Sequence, residues 1–366
     1  IMDSSYNVVK KAAVLGYGTD FHEFRILDNG NYLLLGMDDR LVDMDTVVAG
    51  GQPGVTVRGA YIQETTPEGT VLWEWTSWDH FKITDAMYFV DLTDPYMIDY
   101  VHANALDQET DSTILISSTN MYEVTKINKN TGELIWRMGG ENNQITSNGD
   151  PVVFFAQHHI RKIDNGNFIV FDNGWEREPQ RSCVVEFQLD EINKVATLVK
   201  EYRSLPNEIL GYIMGSNQRL PGGNTFVGWG SGVPNVTEFK PDGTKALEFE
   251  FESVSYRAFK FQWETNAFTT SADSIDFGEI NSQDSTTSTI SVYNNMNEDI
   301  YITSIEHNTE KYFCTSELPI LIEAESNSDI DIMFKPSTEG NFDDVLTICY
   351  DRENETITKR IARQVW

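Results

Sequence analysis

Short runs in which apolar and polar residues alternate, each closed by Gly, Asn, Asp or Pro, recur along the chain and predict strands rather than helices. One hairpin pattern returns three times: Phe24 to Leu35 around Asp28-Asn29-Gly30-Asn31, Ile160 to Phe171 around Asp164-Asn165-Gly166-Asn167, and Gln218 to Trp229 around Pro221-Gly222-Gly223-Asn224. Asn-Gly is a strong hairpin signal because it supplies the positive φ that tight turns need. A second hairpin follows: Ile62 to Trp75, Val124 to Trp136, Val184 to Tyr202 and Val236 to Phe251. Two hairpins make a four-stranded unit. His158 follows His102 by 56 residues and Gly215 follows His158 by 57, a repeat close to the length of a large propeller blade. One such unit cannot bury both faces of its sheet, whereas radial stacking of several does. A flat multi-strand sandwich is the competing arrangement.

The expected fold is all-β: a β-propeller over residues 1–267, then an immunoglobulin-like β-sandwich over 268–366. After Phe268 the strands become rich in Ser and Thr, with Ile275-Asp276-Phe277-Gly278, Ser291-Val292-Tyr293-Asn294-Asn295 and Asp331-Ile332-Met333-Phe334-Lys335-Pro336. About seven short strands in under a hundred residues fit such a sandwich. Residues 271 to about 350 resemble the Hydin/ASPM-type, or choice-of-anchor, modules appended to exported bacterial proteins, a spacer or an anchor. Ile1 is not a start methionine, and residues 1 to 13 read as the middle of a repeat, with Ser255 to Trp263 as a partner in a shared blade. The sequence is therefore expected to begin partway through a longer precursor.

Charge narrows the partners. Lys plus Arg number 27 against 57 Asp plus Glu, a formal charge of −30, which repels phosphate backbones and anionic lipid. Nucleic acid is excluded as a partner, and no apolar run approaches the roughly 18 residues of a membrane helix. Cys314 and Cys349 share the C-terminal domain, where an oxidising compartment would pair them; two buried thiols are the alternative. Asp38, Asp39, Asp43 and Asp45 read as a solvated loop, with calcium binding as the alternative. Trp73, Trp75, Trp136 and Trp229 near strand ends read as blade packing.

The histidines carry the chemistry. His22 and His158 each lie eight residues before the glycine of a hairpin turn, and His102 opens the intervening unit. Innermost strands start beside the propeller axis, so equal phase predicts that the three imidazoles converge on one funnel. A strand-capping role for each and a triple-histidine zinc site are the competing readings. His80, His159 and His307 lack this placement and read as surface or packing residues.

Residues 1 to 267 resemble the bacterial arylsulfotransferase family. The matches are Asp20-Phe21-His22-Glu23-Phe24, His102-Ala103-Asn104, Thr131 to Gly140, Gln157-His158-His159-Ile160-Arg161, Phe171-Asp172-Asn173-Gly174 and Ser255-Tyr256-Arg257-Ala258-Phe259. The resemblance implies a six-bladed propeller with N-terminal blade material preceding Ile1, and a periplasmic, extracellular or cell-surface location. It implies sulfuryl transfer from an aryl sulfate to a phenolic acceptor through a sulfohistidine, with no cofactor and no resident metal. His158 maps to the nucleophile. His102, Asn104 and His22 map to the groups that stabilise transferring charge and exchange protons. Thr119 stands where the family places an arginine, and Arg161 is the nearby cation that would replace it or brace its strand. A non-catalytic surface propeller that binds a ligand or partner is the alternative function.

Overall fold

A computed structural model describes residues 1, 8–148, 154–261, 267–272, 274–352 and 355–360. The chain divides into two compact units, Ile1–Lys260 and Phe261–Trp366.

Among the described residues the first unit contains four blades, each an antiparallel meander. In the first, β1 (Gly18–Ile26), β2 (Tyr32–Val42), β3 (Val55–Thr65) and β4 (Val71–Thr76) lie in sequence order, and β5 (Met97–Asp99) joins β3 in parallel. The second is β6 (Ala103–Thr110), β7 (Thr113–Ser118), β8 (Glu123–Asn128) and β9 (Leu134–Gly139). In the third, β10 (Thr146–Asn148) runs parallel to the outermost strand of a meander made by β11 (His158–Lys162), β12 (Phe168–Asp172), β13 (Cys183–Asp190) and β14 (Val195–Tyr202). The fourth is β15 (Ser216–Arg219), β16 (Thr225–Gly228), β17 (Val236–Phe239) and β18 (Lys245–Phe249). The Asn-Gly turns close as the sequence requires: Gly30 and Gly166 take φ of 82° and 85°, where other residues are strained.

Apolar residues on both faces explain the stacking. In the third blade, Phe168, Val170, Val185 and Phe187 face one way and pack with Leu115, Val124 and Trp136 of the second blade. Ile169, Phe171 and Val184 alternate with them and pack with Val227, Trp229 and Phe239 of the fourth. Strand periodicity thus sends successive side chains into two different cores, and a blade is stable only between neighbours. The indoles follow the same logic: Trp136 and Trp229 are fully buried, and Trp75 donates to the Gly132 carbonyl of the second blade at 3.0 Å.

Innermost strands converge. β6 lies against β1 and β11, and β11 against β15. Ser255–Lys260 then follows β15 without forming a strand, held by Ser216 Oγ to the Ala258 amide (2.9 Å) and Gln218 Oε1 to the Lys260 amide (2.7 Å). The blade expected from residues 1–13 and Ser255–Trp263 falls partly on residues 2–7 and 262–263, outside the described residues.

The second unit is the sandwich. One sheet has the order β19 (Phe268–Thr270), β20 (Thr286–Asn294), β24 (Asn327–Phe334), β22 (Tyr312–Cys314); the other runs β23 (Ile320–Ile322), β21 (Ile300–Glu306), β25 (Thr347–Arg352), β26 (Glu355–Arg360). Ile290, Val292, Ile330 and Ile332 meet Ile300, Ile302 and Ile348 in its core. Cys314 and Cys349 sit on different sheets as free thiols, the second of the two readings, and Cys183 in the propeller is free as well. Among the described residues no helix is long and apolar enough to cross a membrane.

Candidate functional site

Three imidazoles gather where the innermost strands begin. His22 and His102 rings lie 5.0 Å apart, edge to face, and both bear electrostatically on His158. In each, the local chain secures Nδ1 from one side. His22 Nδ1 meets Asp20 Oδ1 at 2.5 Å, and the His22 amide donates to the same oxygen at 2.8 Å, a turn closed within three residues. His102 repeats the device: Nδ1 meets Asp99 Oδ2 at 2.9 Å and its amide donates to Oδ1 at 2.8 Å. Burial opposes ionisation of Asp20, but hydrogen bonds from His22 and the charges of His22 and His102 outweigh it and hold the carboxyl below its ordinary range. Burial likewise works against charge on His102, yet Asp99 and then Asp20 prevail and raise its pKa.

His158 differs in its partner. Its Nδ1 lies 2.8 Å from Asn173 Oδ1 and 3.1 Å from the Ala156 carbonyl. The Asn173 Nδ2 group donates to the carbonyls of Gly211 (2.7 Å) and Met214 (3.0 Å), which fixes the amide with its oxygen toward the ring. Two acceptors at Nδ1 require the proton there, leaving the Nε2 lone pair free. Burial above all, then the charges of His102 and His22, push the pKa down to about 3 against the opposing bond from Asn173. The ring stays neutral, with 7% of the residue exposed.

The backbone is strained around this point. His102, Ala156, His159 and Met214 hold φ of 47°, 57°, 57° and 68°, the left-handed region that costs a non-glycine residue on the order of 1–3 kcal/mol. The β11–β12 register slips between His158 and Arg161. His159 is therefore not on a regular strand; it is buried, packs on Phe259 at 5.4 Å, and its Nδ1 accepts from the Asn217 amide at 3.3 Å.

Asn104 is placed differently from the expectation that its amide faces a substrate. It is fully buried, and Nδ2 donates to Thr119 Oγ1 (2.6 Å) and the Gln157 carbonyl (2.9 Å), so both hydrogens are used. Gln157 Nε2 in turn donates to the Ser118 and Glu123 carbonyls, riveting the residue before His158 to the second blade. Thr119 completes this brace by donating to the Gln157 carbonyl at 3.0 Å. Arg161 is also structural: it donates to Glu23 Oε2 (2.7 Å) and the Leu106 carbonyl, while Arg257 donates to Glu23 Oε1 (3.0 Å) and the Asn104 carbonyl (2.6 Å). Burial raises the Glu23 pKa, but the two guanidinium groups outweigh it and keep the residue ionised.

Other residues at the site carry no simple sequence signal. Arg58 lines a small pocket with Asp20, Asp99 and His102, and pairs through two bonds of 2.8 Å with Asp39. Tyr256 stands edge-on to His22 at 5.5 Å with the Arg257 guanidinium 5.3 Å over its ring; burial raises its pKa. Asp38 is tied to Arg40 and Asp43 to the Gly54 amide, so the expected acidic loop is dispersed. Among the described residues no group of three or more His, Cys, Asp or Glu is arranged to hold a metal ion.

The family model for arylsulfotransferase (ASST) matches residues 1–252. The chain belongs to the arylsulfotransferase family. Membership supports aryl sulfotransferase activity, and it accounts for the histidine-bearing blades as the arylsulfotransferase part of the molecule. Residues 266–363 match the HYDIN/CFA65/VesB-like, Ig-like domain. No curated protein matches this arylsulfotransferase. Among solved structures it is similar to a Bacteroides caccae protein of unknown function, at 14% identity and TM-score 0.38, over 66% of this chain and 70% of that one. Virginiamycin B lyase from Staphylococcus aureus aligns at 10% identity and TM-score 0.33, over 94% and 83%. A PapD-like domain of human CEP192 aligns at 13% and 0.24, over 30% and 92%.

Proposed function

We propose that this arylsulfotransferase moves a sulfuryl group from an aryl sulfate to a phenol in two steps through sulfated His158. The supporting observation is the contrast between Nδ1 partners. The carboxylate of Asp99 behind His102 favours a proton on that ring's outward nitrogen, whereas the amide oxygen behind His158 favours a neutral ring with a free Nε2. In the first step the Nε2 lone pair forms an N–S bond as the S–O bond to the phenol breaks. The departing phenoxide takes the bond pair and receives a proton from the imidazolium of His102. Positive charge left on the His158 ring is stabilised by Asn173 Oδ1 at the Nδ1 proton. In the second step an acceptor phenol returns its proton to His102, attacks sulfur, and the N–S pair goes back to Nε2. His102, as an oriented cation, and the His22 ring that Asp20 orients serve the sulfuryl oxygens as they gather charge. Asn104 acts through the strand it braces. Action outside the cytoplasm is part of this reading.

Thr119 in place of a guanidinium favours the second reading, a propeller that binds without catalysis. A chromogenic aryl sulfate decides between them. With a phenol present the intact protein turns over, without acceptor it releases about one phenolate per chain in a burst, and His158→Ala does neither. No turnover and no burst from the intact protein overturns the catalytic reading.

A further inference from the structure

β12 ends beside His158, since Phe171 pairs with it, and the loop that follows carries Asn173, the partner of the His158 ring, then Trp175 and Glu176. The loop therefore starts against the His158 ring. Phe89, from the excursion between β4 and β5, lies 5.4 Å from Trp175 and 5.2 Å from Tyr122, and Tyr122 lies 5.9 Å from Phe155, three residues before His158. Segments distant in sequence thus build an aromatic wall that runs from Trp175 to Phe155, three residues before the nucleophile. Trp175 is fixed by its indole donating to the Tyr212 carbonyl at 2.6 Å.

A carboxylate crowns this wall. Glu176 Oε1 accepts from the hydroxyls of Tyr88 (2.5 Å) and Tyr122 (3.2 Å), while Oε2 has no hydrogen-bond partner among the described residues. The adjacent Arg177 does not neutralise it, because its guanidinium turns to Asp172 at 2.5 Å. An ionised carboxylate oxygen only accepts, and aromatic faces attract cations. A surface of formal charge −30 adds to the preference for positive charge.

We infer that Phe89, Trp175 and Glu176 form an acceptor subsite for a phenol carrying a cationic amine, the ring against the aromatic wall and the ammonium on Glu176 Oε2. This inference rests on the sulfuryl-transfer reading for its consequence. The same carboxylate repels the anionic aryl sulfate, so it helps the acceptor and hinders the donor. That opposition is the test. With tyramine against its neutral analogue para-ethylphenol, the intact protein favours tyramine roughly tenfold in kcat/KM. Glu176→Gln erases that preference and raises kcat/KM for the aryl sulfate a few-fold, opposite shifts that a merely structural role does not produce. Trp175→Ala weakens both acceptors alike. Equal use of the two acceptors, or a preference that survives Glu176→Gln, overturns the subsite. Calorimetric titration of both phenols into the His158→Ala protein separates the two readings: selective tyramine binding that Glu176→Gln removes, in a protein whose intact form shows no turnover, keeps the subsite and rejects sulfuryl transfer.

Discussion

An imidazole's task here is set by the atom behind it. Asp99 raises the His102 pKa, so its proton is lost only as pH rises above the ordinary 6.5. Asp99→Asn should move the alkaline limb of the donor half-reaction to lower pH, as read from a kcat/KM profile; an unmoved limb would remove His102 from the proton-transfer role. His158 carries the opposite shift. Its folded pKa, about 3, lies below the unfolded value near 6.5, so between these values the unfolded chain binds the extra proton. Its stabilising contribution is complete above 6.5 and is lost as pH falls toward 3, by at most about 1.4 kcal/mol per pH unit. Thermal melts across this window should show His158→Gln losing less stability than the parent chain. The three histidines were legible from their phase in the repeat. Their partners were not, because Asp99 reaches His102 through a positive-φ turn and Asn173 reaches His158 from the end of another strand.

Among the elements, the central join is the Glu23 clamp. One carboxylate on β1 holds Arg161 of β11 and Arg257 of the closing segment, and also accepts from the Leu106 amide of β6. Its side chain is 4% exposed and the arginines 14% and 12%. Glu23→Gln leaves two guanidinium groups buried without their anion, which costs about 3–5 kcal/mol. Denaturant titration should show that loss, and a change under about 1 kcal/mol would contradict the clamp. Alternating apolar residues foretold the blades well because each face meets a neighbour. They could not foretell the parallel strands β5 and β10, which are three residues each and offer too few core positions to show a period, Ile98 being the one buried apolar residue of β5 and none lying in β10. The expected donor role of Asn104 failed for a related reason: a buried amide must satisfy its own hydrogens first, and its neighbours Thr119 and Gln157 take both.

Across the whole molecule, a formal charge of −30 surrounds a site that must admit an anionic ester. Screening weakens that repulsion over a Debye length of roughly 10 Å at 0.1 M salt. Adding salt should therefore raise kcat/KM for an aryl sulfate and lower it for a cationic acceptor, two slopes of opposite sign in one pair of titrations; parallel slopes would show that long-range charge does not act on entry. Composition made this field legible, whereas the clustering of Glu176 with Tyr88 and Tyr122 depends on loops whose meeting no local pattern encodes. Thr119 has a last consequence. Its hydroxyl fills a space shaped by Asn104 and Gln157, so a long cation has no room here unless those neighbours change with it. The position is thus committed to a short hydroxyl: any longer side chain there loosens the seat of the strand that carries His158.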